Sequence, residues 1–227
     1  MSQPDNSAAG FFPAAVAWDL DGTLVDSAPG ILSAFGHAFA VCGIAPVIPP
    51  SATEIGPPLR TTLERLAGAP DPQVLDRLTA AFTAHYDNAG LLETEPYPGV
   101  QRMLEAIAGN GLRLYIATNK RDVPTRRILM HLGWDRLFER VYALDTFAPP
   151  LTDKSALLAR LVADAGLQVN DCSYVGDRPE DALAARVNRL AFYWAGWGYG
   201  AAPPHPQQAV QSRLLWRPDA RKLLDMA

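Results

Sequence analysis

The sequence predicts an α/β protein, a doubly wound parallel sheet with an all-helical segment inserted after its first strand. Short continuous apolar runs recur along the 227 residues with helical segments between them, the pattern of strands buried on both faces of a sheet. Between residues 27 and 95 no such run occurs, and the apolar residues fall instead at spacings of three and four. Finally, the strand-like runs end in Asp19, Thr118 and Asp177, polar groups placed where open parallel sheets bind ligands, beyond the carboxyl ends of their strands.

Residues 14–19 (Ala-Ala-Val-Ala-Trp-Asp) read as the first strand. Three helices follow, Pro29–Val41, Pro58–Ala67 and Pro72–Asn88, each with a proline near its start, where the missing N–H is harmless. Tyr97-Pro98-Gly99-Val100 returns the chain to the sheet, and Pro98 opens a helix that runs to about Ala108 and stops at Gly109-Asn110-Gly111. Leu112–Ala117 is the second strand and ends in Thr118-Asn119-Lys120, with a helix from about Pro124 to His131. Val141–Leu144 is the third, and a proline-rich loop leads from it to Thr152-Asp153-Lys154 and a helix to Ala165. Cys172–Val175 is the fourth, followed by Gly176-Asp177-Arg178-Pro179-Glu180-Asp181 and a helix to about Val187; Leu190–Trp194 is the fifth. The expected division is a tail over 1–13, a core over 14–26 and 96–227, and a helical insert over 27–95.

The formal charge is −4, with no cluster of Lys or Arg. That leaves no electrostatic footprint for a nucleic-acid polymer or an anionic membrane. No apolar run is long enough to span a bilayer. Residues 1–10 carry no Lys or Arg ahead of an apolar stretch, so they read as a disordered tail rather than a signal peptide. Cys42 and Cys172 sit in apolar surroundings and are expected as reduced thiols, which fits the cytoplasm.

The chemistry concentrates at Val16-Ala17-Trp18-Asp19-Leu20-Asp21-Gly22-Thr23-Leu24-Val25-Asp26-Ser27. Residues i and i+2 of a strand lie on one side, so Asp19 and Asp21 would crowd two negative charges together at the strand's end. A cation relieves that crowding, and Mg²⁺ is the natural choice. Gly22 lets the backbone turn away, and Thr23 offers a hydroxyl to the same turn. A bare Asp-x-Asp-Gly equally suits a strand that ends in an acidic turn.

The whole string Asp19-Leu20-Asp21-Gly22-Thr23-Leu24-Val25-Asp26-Ser27 resembles the first motif of the haloacid dehalogenase-like (HAD) phosphatases. That resemblance implies that Asp19 attacks phosphorus and Asp21 is the general acid and base. The dehalogenases of the superfamily lack an acid at the second position, so Asp21 argues for phosphoryl transfer. Thr118, with its neighbour Asn119, matches the second motif, whose hydroxyl and backbone N–H hold the phosphoryl group; alone the pair would be an ordinary helix-entry turn. Lys154 matches the third motif, a compact charge among carboxylates. The chain has lysine only at 120, 154 and 222, and Lys120 is a rival for the same role. Gly176-Asp177 and Asp181 resemble the fourth motif. The implied Mg²⁺ ligands are the carboxylates of Asp19 and Asp177 and the backbone carbonyl of Asp21, with Asp181 one helical turn deeper, behind the ligands.

The motifs occur in family order over roughly residues 14–200, on a HAD Rossmann-like core. The helical insert is similar to the cap of the phosphoglycolate phosphatase-like branch. Arg189 stands where relatives usually carry a turn glycine. The Asp-Arg-x-x-Asp form of the fourth motif and Gly198-Tyr199-Gly200 resemble a sub-branch of phosphoglycolate phosphatases and 5′-nucleotidases. The expected partner is a small phosphorylated metabolite, with a sugar-phosphate phosphatase or mutase as a further alternative and a non-catalytic HAD-scaffold interaction protein as another. The phosphonatases of the superfamily use a cap lysine, and residues 27–95 contain none. In the cap, Arg60 and Tyr86 are candidates for contacting the leaving group. Arg60 would either hold an anionic tail or form a salt bridge to Glu54 or Glu64.

Overall fold

The structure, a computed structural model, describes residues 14–201. The tail expected over 1–13 and the end of the core beyond 201 lie outside the described residues. Five parallel strands form the main sheet: β1 (Ala15–Trp18), β4 (Arg113–Thr118), β5 (Arg140–Ala143), β6 (Cys172–Gly176) and β7 (Ala191–Trp194), in the order β5-β4-β1-β6-β7. β1 is central, pairing Trp18 with Ile116 on one side and with Val175 on the other. The strand order therefore reverses around β1, so the ends of β1, β4 and β6 meet at one crevice.

Alternation along β1 feeds two cores. Val16 and Trp18 face one layer with Ile116, Val175 and the buried faces of α4 (Val100–Gly109) and α5 (Asp122–His131). Ala15 and Ala17 face the other, where their small side chains leave room for Tyr115, Tyr142 and Tyr174 under α6 (Lys154–Asp164) and α7 (Pro179–Val187). The thiols of Cys42 and Cys172 are free, and burial pushes that of Cys172 up to about 11. Arg189 adopts the left-handed conformation (φ 58°) at the corner after α7, where a glycine would be unstrained.

The helical insert contains α1 (Ala28–Cys42), α2 (Leu59–Leu66) and α3 (Pro72–Asn88). Its centre is the α1–α3 seam, where Phe35 packs on Phe82 with ring centroids 4.8 Å apart and Phe82 stacks on Tyr86 at 5.5 Å. Entry and exit are joined by a feature absent from the sequence reading: β2 (Val25–Asp26) and β3 (Glu95–Pro96) pair antiparallel. Tyr97 N–H extends the pairing to the carbonyl of Leu24 at 3.1 Å. Two residues per strand are too few to leave a pattern. Smaller differences lie at element ends: Pro98 and Gly99 form a turn before α4, and Leu144 opens a 3₁₀ turn instead of ending β5.

α1 contains two glycines in opposite situations. At Gly30 a Cβ would collide with the backbone carbonyl of Gly90, whereas at Gly36 it would meet nothing within 4 Å. Alanine ordinarily stabilises a helix interior over glycine by about 0.5–1 kcal/mol. Gly36→Ala should therefore raise stability by about that amount in urea unfolding, while Gly30→Ala should lower it by about 1–3 kcal/mol through overpacking. A stabilised Gly30→Ala would show that the two chain crossings into the insert do not touch as described.

Candidate active site

The site is the crevice at the carboxyl ends of β1, β4 and β6. After Trp18 the chain leaves the sheet in a tight turn: Thr23, Leu24 and Val25 all direct their N–H groups to the carbonyl of Leu20, and Gly22 N–H donates to Val25 O at 2.9 Å. Gly22 has φ +82°, and a Cβ there would run into the Asp177 carboxylate and the Tyr199 ring. The glycine of the motif is thus required twice, by its backbone and by the close approach of a neighbouring carboxylate.

Asp19 and Asp21 are both buried but have separate partners. Asp19 lies 3.1 Å from Lys154 Nζ, and one ligand oxygen from each of Asp19, Asp177 and Asp181 falls within 4.8 Å of the others. Lys154 also donates to Asp181 Oδ1 at 2.6 Å. Asp181 is fixed further by Arg178 N–H at 3.0 Å and by the Tyr174 hydroxyl at 3.1 Å. Asp21 instead accepts Ser27 Oγ at 2.6 Å and Lys120 Nζ at 3.0 and 3.1 Å. The two lysines are therefore not rivals for one carboxylate: Lys154 serves Asp19 and Asp181, and Lys120 serves Asp21.

Thr118 is buried beside Asp19 at the end of β4, and its Oγ1 accepts Lys120 N–H at 3.2 Å. The Asn119 side chain reaches the insert, donating from Nδ2 to Gly56 O at 3.0 Å. From the opposite rim, Arg178 donates to Ile55 O at 2.6 Å and Thr53 O at 3.1 Å. The loop before α2 is thus fastened to the core from two sides, over a cavity that both Asp19 and Asp21 line. Tyr86 reaches the site as well, buried, with Lys120 Nζ 4.5 Å from its ring centroid.

Arg60 is placed elsewhere. It is half exposed on α2 and pairs with Asp76 of α3 at 2.6 Å, and it is not among the residues lining the cavity. Neither Glu54 nor Glu64 is its partner; Glu54 pairs with Arg65, one turn further along the helix. The reason is helix packing: α3 lies against α2 and offers an acid closer than any on α2 itself. Sequence reasoning gave no role to Ser27, although it closes the first motif's string. It also missed the work of Tyr199, whose N–H donates to Asp177 Oδ2 at 2.7 Å while its hydroxyl accepts Ser27 N–H at 2.7 Å and donates to Asp26 at 2.7 Å.

Residues 16–195 match the profile described as haloacid dehalogenase-like hydrolase. The chain belongs to that family. Among its relatives is a 5′-nucleotidase of Pseudomonas aeruginosa, 32% identical over 82% of this chain and 84% of the relative. Another is a phosphoglycolate phosphatase of Agrobacterium fabrum, 33% identical over 82% of each chain. Of solved structures, protein tyrosine kinase A of Mycobacterium tuberculosis is 32% identical and superposes with a TM-score of 0.69, covering 84% of this chain and 87% of that one. This HAD-like hydrolase is a phosphatase of the phosphoglycolate phosphatase-like branch.

The carboxylate cluster suits a divalent cation. Asp177 Oδ2 accepts the N–H groups of Tyr199 and Gly200, yet its Oδ1 is buried with no hydrogen-bond partner, a costly arrangement for a carboxylate that a cation would relieve. Burial, with Asp181, Asp177 and Asp21 adding to it against the opposing Lys154, pushes the Asp19 carboxyl up to about 7. Burial and Asp181 push Asp177 up to about 6, against the N–H donors of Tyr199 and Gly200 and the charge of Lys154. In Lys154, burial disfavours the charge, but Asp181 and Asp19 together outweigh it and raise the pKa.

These shifts fix a sign. Without metal, the folded chain holds protons on Asp19 and Asp177 up to about pH 7 and 6, whereas the unfolded carboxyls release theirs near 3.8. The folded state therefore binds more protons between about pH 4 and 7, and this pair's contribution to stability falls as pH rises through that window. In EDTA the melting temperature should drop from pH 5 to pH 8, and Mg²⁺ should raise it far more at pH 8 than at pH 5. Asp19→Asn should flatten the metal-free dependence; an unchanged slope would mean other groups set it.

Proposed function

We propose that this enzyme hydrolyses a small phosphomonoester through a covalent aspartyl-phosphate, with Mg²⁺ as cofactor. The observation that carries the reading is the separation of roles between the two motif carboxylates. Asp19 lies with Lys154 and a partnerless carboxylate oxygen of Asp177, the surroundings of a nucleophile whose incoming phosphoryl group must be neutralised. Asp21, two residues on, is held apart by Ser27 and Lys120 and lines the same cavity, the surroundings of a proton carrier.

Asp19 attacks phosphorus in line, and the bond to the leaving oxygen breaks as Asp21 delivers its proton to that oxygen. Asp21, now ionised, takes a proton from water as the water attacks the phosphorus of the aspartyl-phosphate, releasing phosphate and restoring Asp19. Thr118 and Lys154 hold the phosphoryl oxygens throughout. The carboxylates of Asp19 and Asp177 and the backbone carbonyl of Asp21 would hold Mg²⁺, which when bound would neutralise charge on the phosphate as a Lewis acid. Asp181 orients Lys154. Residues 27–95 act as the cap that excludes bulk water, and the enzyme works in the cytoplasm on a free metabolite.

Phosphate release from a panel of phosphomonoesters with Mg²⁺ tests this directly. Asp19→Asn should lower kcat by about a thousandfold or more, because an amide is neither nucleophile nor strong ligand. Asp21→Asn should slow both chemical steps while still binding beryllofluoride, the stable mimic of the aspartyl-phosphate. Turnover by Asp19→Asn above a few per cent of wild type would overturn the nucleophile assignment.

A further inference from the structure

We propose that the leaving group is an uncharged alcohol with an apolar or aromatic face, and that a carboxylate-bearing alcohol is a poor substrate. This rests on the phosphatase reading above and narrows it to a substrate class. The cavity that opens from Asp19 and Asp21 is walled on its cap side by Ile31, Phe35, Ile55, Leu59 and Phe82. Those five come from α1, α3, the first residue of α2 and the segment leading into it, so the wall is assembled from the whole cap rather than one exposed residue.

The cations in the cavity wall, and those on α2 beside it, are already paired. Lys120 is bound to both oxygens of Asp21, and Arg121 forms a two-pronged pair with Asp87. On α2, Arg60 is turned to Asp76 and Arg65 to Glu54. Glu54 itself borders the cavity, and its pair with Arg65 leaves no net positive charge there. Asn119 lines it as well and leaves Oδ1 buried without a partner, an acceptor that opposes a carboxylate.

A carboxylate on the leaving group would therefore be desolvated against aliphatic and aromatic carbon with no cation to meet it, a burial that costs far more than it returns. An apolar face in the same place gains from leaving water. Breaking the Lys120–Asp21 pair to supply a cation would remove the donor that holds the general acid.

Steady-state kinetics on benzyl phosphate and 2-phosphoglycolate, both primary alkyl esters, decide the matter. The expected kcat/KM is higher for benzyl phosphate by about tenfold or more. Leu59→Arg puts a guanidinium on the apolar wall and should shift that ratio toward 2-phosphoglycolate by about tenfold; Leu59→Gln, of similar length without charge, should not. Equal or greater efficiency on 2-phosphoglycolate in the wild type overturns the proposal while leaving the phosphatase standing. An unchanged ratio in a folded Leu59→Arg removes Leu59 from the wall and overturns the proposal as argued. If Leu59→Arg does not fold, the wild-type ratio decides alone. Failure to hydrolyse any phosphomonoester overturns the phosphatase reading itself, and the inference with it.

Discussion

Four carboxylates, Asp19, Asp21, Asp177 and Asp181, are buried within one crevice, and the surrounding structure is arranged to tolerate them. Ionised together and unpaired they would cost more than a domain's net stability. Lys154 offsets two of them from inside and Lys120 a third, each in charge-assisted contact. Backbone N–H groups of Arg178, Tyr199 and Gly200 supply the remainder. The parallel sheet makes this feasible, because β1 and β6 end side by side and the helix and loops that follow point their free N–H groups toward the same place. One carboxylate oxygen, on Asp177, is left over, and it marks where a cation belongs.

The fold was legible because its signals are local. Strands buried on both faces produce apolar runs, and cap helices produce spacings of three and four; both survive without knowledge of partners. Asp19, Asp21, Thr118 and Asp177 stand at or just beyond the ends of such runs, but the run alone fits an ordinary turn, and it took the resemblance to the family's motifs to single them out. That Lys154 and Lys120 serve different carboxylates was not legible, because the sequence offers two lysines and gives no distances. Arg60 shows the limit from the other side: Glu54 and Glu64 are near in sequence, but its partner is Asp76, sixteen residues on and on another helix.

Tyr199 illustrates the longest reach. Its hydroxyl meets residues 171 to 173 positions earlier, at the start of α1, while its N–H holds Asp177. One residue thereby joins the end of the described chain, the carboxylate cluster and the root of the cap. No periodicity announces such a residue; only a motif remembered as a unit, Gly198-Tyr199-Gly200, draws the eye to it.

The cap leaves and re-enters the core through adjacent two-residue strands, with a further bond from Tyr97 to Leu24. Because the two crossings lie side by side, the sheet feels the whole insert as if it were a single hairpin. Away from the points where Asn119, Arg178 and Arg121 fasten it, its length is then set by its own helices rather than by the sheet. Residues added at the turns between α2 and α3 would lengthen the insert without shifting the register of β1 against β4, whereas a change at Gly56 or Asp87 would reach the core at once through Asn119 or Arg121.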